Sequence, residues 1–264
     1  MVLGPIKQAE FTLGELTILC GNNNTGKTYA TYALFGFLSF WSEAFSIKVP
    51  EKHVSQLLNE GATELDIQDY INDSKNILAN GCEAFTEQLP DVFASSEKHF
   101  SDSSFIVELE QSDFDPSTIF ERTMGTAKKQ FFSISKNSNS PIVNISLLVG
   151  KEKVKISHSV IYRFIGEALR DIIFGHLFPH PFIASAERTG AAIFRKELNF
   201  ARNRLLDEMS SMRKDINPFD LLMKVYADYA LPVKTNVDFT RQLEDLAKKD
   251  SFIVKHHPDL LQCH

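Results

Sequence analysis

The sequence predicts an α/β fold with an antiparallel β insert and a C-terminal helical region. Three observations predict it: a short apolar run leading through a glycine loop into an apolar helix, alternating segments between residues 101 and 157, and helical periodicity from residue 191 onward. The 264 residues suffice for one large core, or for a core with a satellite domain. We divide the chain into a strand–loop–helix core at 1–50, a helical insert at 51–100, an antiparallel β region at 101–157, a return to the α/β core at 158–190 and a helical region at 191–264.

The first part of the chain predicts two strands and a long helix. Ile6–Phe11 and Leu16–Cys20 look like two short strands joined by a Leu-Gly-Glu turn, and the second, an apolar run, is expected to be buried. The helix is predicted from about Gly26 into the middle forties, ending before Pro50. Residues 28–42 carry no charge, but this run is shorter than the ~18 residues that a membrane span requires. We therefore interpret it as a buried core helix and expect no membrane association.

Helical spacing predicts most of the next fifty residues. Apolar residues predict one short helix around Val54–Leu58 and a longer one from Leu65 to Leu78, with interruptions at Gly81 and Pro90.

The β insert is predicted from alternating or continuous apolar runs with turn signals between them. Its predicted strands are Phe105–Leu109, Gln130–Ser135, Ile142–Val149 and Lys153–Ile156. Beyond it, periodicity predicts a helix at Ile161–Leu177, a buried strand at Pro181–Ser185, and helices at Gly190–Met212, Pro218–Tyr229 and Phe239–Lys248.

The most informative motif lies between the second predicted strand and the first helix. Residues Gly21–Thr28 read G-N-N-N-T-G-K-T and match the phosphate-binding pattern G-x-x-x-x-G-K-[ST]. Backbone N–H groups of such a loop surround a triphosphate, helped by the positive end of the following helix. Lys27 is expected against the β- and γ-phosphates, and the Thr28 hydroxyl on Mg²⁺. The expected site for ATP and Mg²⁺ comprises Gly21, Asn22, Asn23, Asn24, Thr25, Gly26, Lys27 and Thr28.

The residue types within the loop fit a tightly turning backbone. Gly21 and Gly26 stand where the chain turns sharply or comes too close to a ligand for a Cβ atom. Asn24 occupies a position where many such loops have another glycine, and asparagine tolerates the left-handed backbone conformation well. The loop, strand and helix together predict a P-loop NTPase fold.

The sequence does not identify a residue that activates water. An ATPase needs an acidic residue at the end of a hydrophobic strand, and neither Glu108 nor the Asp207–Glu208 pair has that context. Glu187 and Arg188 follow a predicted strand, so they are candidates for contacting a phosphate, Mg²⁺ or the attacking water. A surface ion pair at a strand-to-helix turn is the alternative interpretation.

Composition restricts the compartment and the partners. The net charge of −6 does not indicate a nucleic-acid-binding surface, so DNA is a candidate partner without support from charge. The three scattered cysteines fit a reducing cytoplasm rather than a disulfide scaffold. The C-terminal residues His256, His257, Cys263 and His264 do not have the spacing of a zinc site, and we expect a solvated tail.

The chain resembles ABC-type P-loop ATPases of the SMC, RecF and OLD-nuclease kind within the AAA family. The resemblance depends on the early strand pair, on the double-asparagine loop around Asn23 and Asn24, and on the Ala-Glu-Arg-Thr-Gly run at 186–190. It implies an incomplete ABC-ATPase-like head that binds Mg-ATP and forms a homodimer or heteromer around ATP. It also implies a bacterial protein of DNA maintenance or anti-phage defence that works with a nuclease or toxin partner.

The signature and Walker B motifs of that family are not recognisable here, so the resemblance implies the first part of a longer ATPase. ATP hydrolysis would then depend on those elements and on dimerisation. Two alternatives remain open: a P-loop kinase acting on a small acceptor, and a non-catalytic interaction module that senses nucleotide. The segment 48–59 lacks the arginine-rich lid and the acceptor-binding aspartate that would favour the kinase.

Overall fold

In the computed structural model, the described residues form a mixed α/β structure with a four-stranded antiparallel sheet. Residues 6–45, 47–126, 129–149, 157–184 and 230–246 are described. Their helices are α1 Lys27–Ala44, α2 Glu51–Glu60, α3 Ile67–Asn72, α4 Ser74–Phe93, α5 His158–Phe174 and α6 Leu231–Leu246, with 3₁₀ turns at Glu97–His99 and Gln111–Asp113. Their strands are β1 Ala62–Asp66, β2 Phe120–Thr126, β3 Lys129–Lys136 and β4 Ile142–Leu147.

The sheet has the strand order β1-β4-β3-β2, and every pair is antiparallel. Its two central strands follow the period-two pattern of a sheet with one buried face, because Phe132, Ile134, Val143 and Ile145 are almost fully buried. Asn139 has φ 56° in the turn between β3 and β4, a left-handed conformation that asparagine adopts readily. The sheet therefore confirms the predicted antiparallel β insert in its central strands.

The described chain divides into two compact units. The first consists of Phe37–Glu87 and Ser103–His180, and it contains the sheet. The second consists of the residues up to Gly36, Gln88–Asp102 and the described residues after 180.

An aromatic cluster forms much of the core of the first unit. Phe37 is 1% exposed, and its ring centroid lies 5.1 to 5.9 Å from the rings of Phe45, Phe85, Phe105 and Phe178. Offset and edge-to-face pairs at such distances stabilise the fold by more than their buried area alone provides. The cluster explains why Phe37 and Trp41 of the uncharged run at 28–42 are buried, whereas Thr28 and Thr31 of the same run are exposed.

Three helix predictions are confirmed with shifted ends. Helix α1 begins at Lys27 and ends at Ala44, α2 covers the predicted helix around Val54, and α5 covers most of Ile161–Leu177. Helix α6 begins eight residues before the predicted start at Phe239. In the described residues, no helix is both long enough and apolar enough to cross a membrane.

The two predicted N-terminal strands are wrong. Of residues 6–20, Ile6 alone forms a bridge, and Leu16 and Ile18 are 80% and 72% exposed instead of buried. A segment becomes a strand only when a neighbouring segment pairs with it, and no described strand lies beside this one.

Two further strand predictions fail for the same reason. Phe105–Leu109 has no strand pairing, and residues 181–184 form neither a strand nor a buried segment, with Phe182 66% exposed. The predicted strand at 153–156 lies outside the described residues, as do the helices predicted at 190–212 and 218–229.

The predicted helix from Leu65 and its interruptions are corrected as well. Leu65 lies in β1, opposite Val143 of β4, because sheet pairing overrides the local helical spacing. Helix α4 runs through both Gly81 and Pro90. The missing side chain at Gly81 leaves room for the ring of Phe45, and Pro90 lies in the last turn of the helix.

Candidate phosphate-binding site

The loop that matches the phosphate-binding motif belongs to the second unit and leads directly into α1. Its backbone enters the left-handed region at two central positions, Asn24 with φ 62° and Gly26 with φ 89°. Among residues other than glycine, asparagine is one of those that adopt this conformation most readily. Asn24 therefore has the geometry that its residue type suggested.

Gly26 is required by space as well as by conformation. A Cβ atom at this position would lie 2.3 Å from Cγ1 and 2.8 Å from Cδ1 of Ile6, whose side chain is buried. The carbonyl of Gly26 also accepts the hydrogen bond from the N–H of Ala30 at 3.0 Å, which closes the first turn of α1. The second glycine of the motif thus fixes the junction between loop and helix.

The side chain of Lys27 folds back over the loop. Its Nζ atom donates to the carbonyl of Gly21 at 2.8 Å and to that of Asn22 at 2.5 Å. The Thr25 hydroxyl donates to the same carbonyl of Asn22 at 2.9 Å. The ammonium group is therefore held at the loop by exposed carbonyl oxygens, which a bound anion could replace.

The backbone donors of the loop remain available. Within the described chain, the N–H groups of Asn23, Asn24 and residues 26–29 donate to no protein acceptor, and the hydroxyl of the exposed Thr28 has no protein partner. Unpaired N–H groups beside an ammonium group and a helix N-terminus are the donors that binding of a highly charged anion would require. Thr31, one turn further along, bonds instead to the carbonyls of Lys27 and Thr28.

The other candidate residues do not join this loop in the described structure. Glu187 and Arg188 lie outside the described residues, and so do the Asp207–Glu208 pair and the C-terminal histidines. Glu108 is exposed and lies in no strand, so it does not have the context of a metal-binding strand end. Among the described residues, no cluster of three His, Cys, Asp or Glu side chains could hold a metal ion.

The second unit, which contains the loop Gly21–Thr28, also contains a polar loop at residues 94–99 that the sequence pattern did not single out. Phe93, the last residue of α4, stacks on Tyr29 with ring centroids 4.9 Å apart. Just after Phe93, the hydroxyls of Ser95 and Ser96 lie close to the imidazole of His99. A pattern of two serines followed by a histidine is too common to predict a site without this packing.

Comparison of the chain with protein-family models, with curated proteins and with solved structures finds no match.

Proposed function

We propose that the chain binds Mg-ATP through the loop Gly21–Thr28. The observation that supports this best is the pairing of Lys27 with the carbonyls of Gly21 and Asn22 beside unpaired backbone N–H groups. A triphosphate carries several negative charges, and its desolvation is compensated by directed donors of this kind. Thr28 follows in the first turn of α1, where its hydroxyl would bind Mg²⁺.

We further propose that the chain acts as an ABC/SMC-type ATPase subunit with a P-loop NTPase head. The motif and the double asparagine support this class. Hydrolysis would require a strand-end acidic residue and a signature motif, which are not recognisable in the sequence, together with dimerisation around ATP. The partner in this proposal is a second copy or a different subunit, in a cytoplasmic defence or DNA-maintenance system with a nuclease or toxin.

Equilibrium binding of Mg-ATP to the full chain tests the central proposal. Lys27→Ala removes the charged donor and should raise the Kd about 10- to 100-fold. The matched control is Lys75→Ala, because Lys75 is an exposed lysine of α4, and its removal should leave the Kd unchanged. Equal Kd values for the wild type and the Lys27 variant would refute nucleotide binding by this loop.

The same variant separates the classes of function. Loss of ATP-induced dimerisation in Lys27→Ala supports the ATPase subunit. Loss of phosphoryl transfer to a small acceptor supports a kinase, and unchanged partner binding supports a nucleotide-sensing module. Metal-dependent ATP turnover by the wild-type chain alone would contradict the expected dependence of hydrolysis on further elements.

A further inference from the structure

The loop 94–99 is held beside the first turn of α1 by an aromatic stack. Tyr29 directly follows Thr28, and side chains of a helix lean toward its N-terminus, which here is the phosphate-loop end. Phe93 stacks on Tyr29 with ring centroids 4.9 Å apart, and Phe100 closes the loop by packing 5.2 Å from Phe93. Both ends of the loop are therefore fixed close to the phosphate-loop end of the helix.

The backbone of this loop is bent sharply at its start. Ala94, the residue after the last one of α4, has φ 48°, a left-handed conformation in which helices commonly end. The N–H of Ser95 donates to the carbonyl of Pro90 at 2.9 Å, which holds the bend in place. A left-handed residue just after the last helical one, with this bond back to the last turn, is an ordinary helix end, so the bend places Ser95 and Ser96 directly beyond α4.

The loop presents an oriented imidazole. Nδ1 of His99 lies 2.8 Å from the hydroxyl of Ser95 and 3.3 Å from that of Ser96, so two serines fix the ring. His99 is exposed, and within the described chain its Nε2 atom has no protein partner. An imidazole whose second nitrogen is left available suits a ligand that offers hydroxyl groups or a heteroaromatic edge.

We infer that the loop 94–99 is a second wall of the nucleotide site, in which His99 contacts the nucleoside part of ATP and Ser95 positions the imidazole. This inference rests on the proposed binding of ATP by Gly21–Thr28. The phosphates already have the donors of that loop and Lys27, so the ligand atoms left for a neighbouring wall are those of the sugar and base. The loop also carries the exposed Glu97 and Lys98, but the groups that the hydrogen bonds orient are two hydroxyls and a ring nitrogen, which match these atoms.

Calorimetric titration with two ligands tests the inference. Mg-ATP carries a nucleoside, whereas Mg-tripolyphosphate offers the phosphate chain alone. His99→Ala should raise the Kd for ATP about five- to tenfold, the loss of one hydrogen bond, and leave the Kd for tripolyphosphate unchanged. Ser95→Ala should raise the Kd for ATP by a smaller factor and also leave the Kd for tripolyphosphate unchanged, because it frees the imidazole ring without removing it. His158→Ala removes an exposed histidine of the first unit and serves as the matched control, with both Kd values unchanged.

The outcomes distinguish this inference from the proposed function. If Lys27→Ala raises the Kd for both ligands while His99→Ala raises neither, the loop Gly21–Thr28 binds as proposed and the second wall is refuted. Equal weakening of both ligands by His99→Ala also overturns the nucleoside contact. A wild-type chain that binds neither ligand would contradict the proposed function and the inference together. Thermal unfolding of each variant, expected to match the wild type because His99 is exposed and Ser95 is half-buried, checks that the fold is intact.

Discussion

The carboxylate of Asp171 accepts a hydrogen bond from the guanidinium group of Arg122, with 2.5 Å between Oδ2 and Nη2. Its other oxygen accepts from Arg170, at 2.9 Å from Nε and 2.8 Å from Nη2. Nη1 of Arg170 donates in turn to the carbonyl of Ser42, and its guanidinium group lies over the ring of Trp41 at 5.6 Å. One carboxylate in α5 thus connects strand β2, helix α5 and the last turn of α1.

Replacing Asp171 should destabilise the fold far more than replacing an exposed acid. Asp171→Ala leaves two partly buried guanidinium groups without their carboxylate, and we expect the free energy of unfolding to fall by about 2–4 kcal/mol. The control is Glu167→Ala, because Glu167 pairs at 3.7 Å with an arginine that is 74% exposed, and its loss should cost less than about 0.5 kcal/mol. Urea denaturation measures the free energy of unfolding of both variants. Equal decreases would contradict a stabilising role of the hydrogen bonds between Asp171 and the two arginines.

The glycine inside α4 should not tolerate a methyl group. A Cβ atom on Gly81 would lie 2.0 Å from two carbon atoms of the Phe45 ring, which is 3% exposed and packed among other aromatic rings. We expect Gly81→Ala to lower the free energy of unfolding by about 1–3 kcal/mol, despite the better helix propensity of alanine. Gly14→Ala is the control, since nothing lies within 4 Å of its added Cβ. Thermal denaturation should show a clear decrease in Tm for the first variant only.

Asn24 should be replaceable by glycine but not by a β-branched residue. Because its φ is 62°, Asn24→Gly should keep the loop geometry and the Kd for Mg-ATP within about twofold. Asn24→Val places a β-branched side chain in the left-handed region, at a cost of about 1–3 kcal/mol, and should weaken ATP binding about tenfold or more. The binding titration used for Lys27 measures both variants. A valine variant that binds as tightly as the wild type would show that the backbone of the bound loop differs.

The acid titration of Asp115 should depend on Ser117. The hydroxyl and the N–H of Ser117 donate to the Asp115 carboxylate at 2.7 Å and 2.8 Å, and these bonds lower its pKa below the ordinary value of 3.8. A depressed carboxylate pKa contributes stability that is present above pH 3.8 and is lost as the pH falls through the folded-state pKa. Ser117→Ala removes the largest cause, so the pKa of Asp115 should rise toward 3.8.

A side-chain NMR titration of Asp115 measures this shift. The control is Ser112→Ala, because the hydroxyl of Ser112 faces the carboxylate of Glu110 at 3.5 Å and should not affect Asp115. An unchanged pKa of Asp115 in Ser117→Ala would show that the backbone N–H of residue 117, which the substitution keeps, and the nearby charges of His176 and Lys136 dominate instead.

The phosphate loop could be predicted in detail because its geometry is encoded in residue type. The left-handed backbone at Asn24 and Gly26 follows from which side chains tolerate it, and the helix after Lys27 follows from its apolar run. The loop 94–99 gave no such signal, since its position depends on Phe93 stacking on a residue 64 positions earlier in the chain, Tyr29.

The predicted strands failed where their formation depended on a partner. Leu16, Ile18 and Phe182 belong to runs that are apolar enough for a buried strand, yet no described strand pairs with them. The opposite error occurred at Leu65, whose helical spacing was overridden by pairing with Val143. Local patterns report what a segment could bury, whereas the partner that buries it is a property of the whole fold.

The apolar run from Leu16 to Cys20 has a consequence for handling the protein. Its side chains at Leu16 and Ile18 face water, and no strand of the described chain pairs with it, so its N–H and C=O groups offer a template for strand addition between molecules. Purified chain should therefore associate more strongly as its concentration rises, and lysine at Ile18 should act as a gatekeeper that keeps concentrated samples clear.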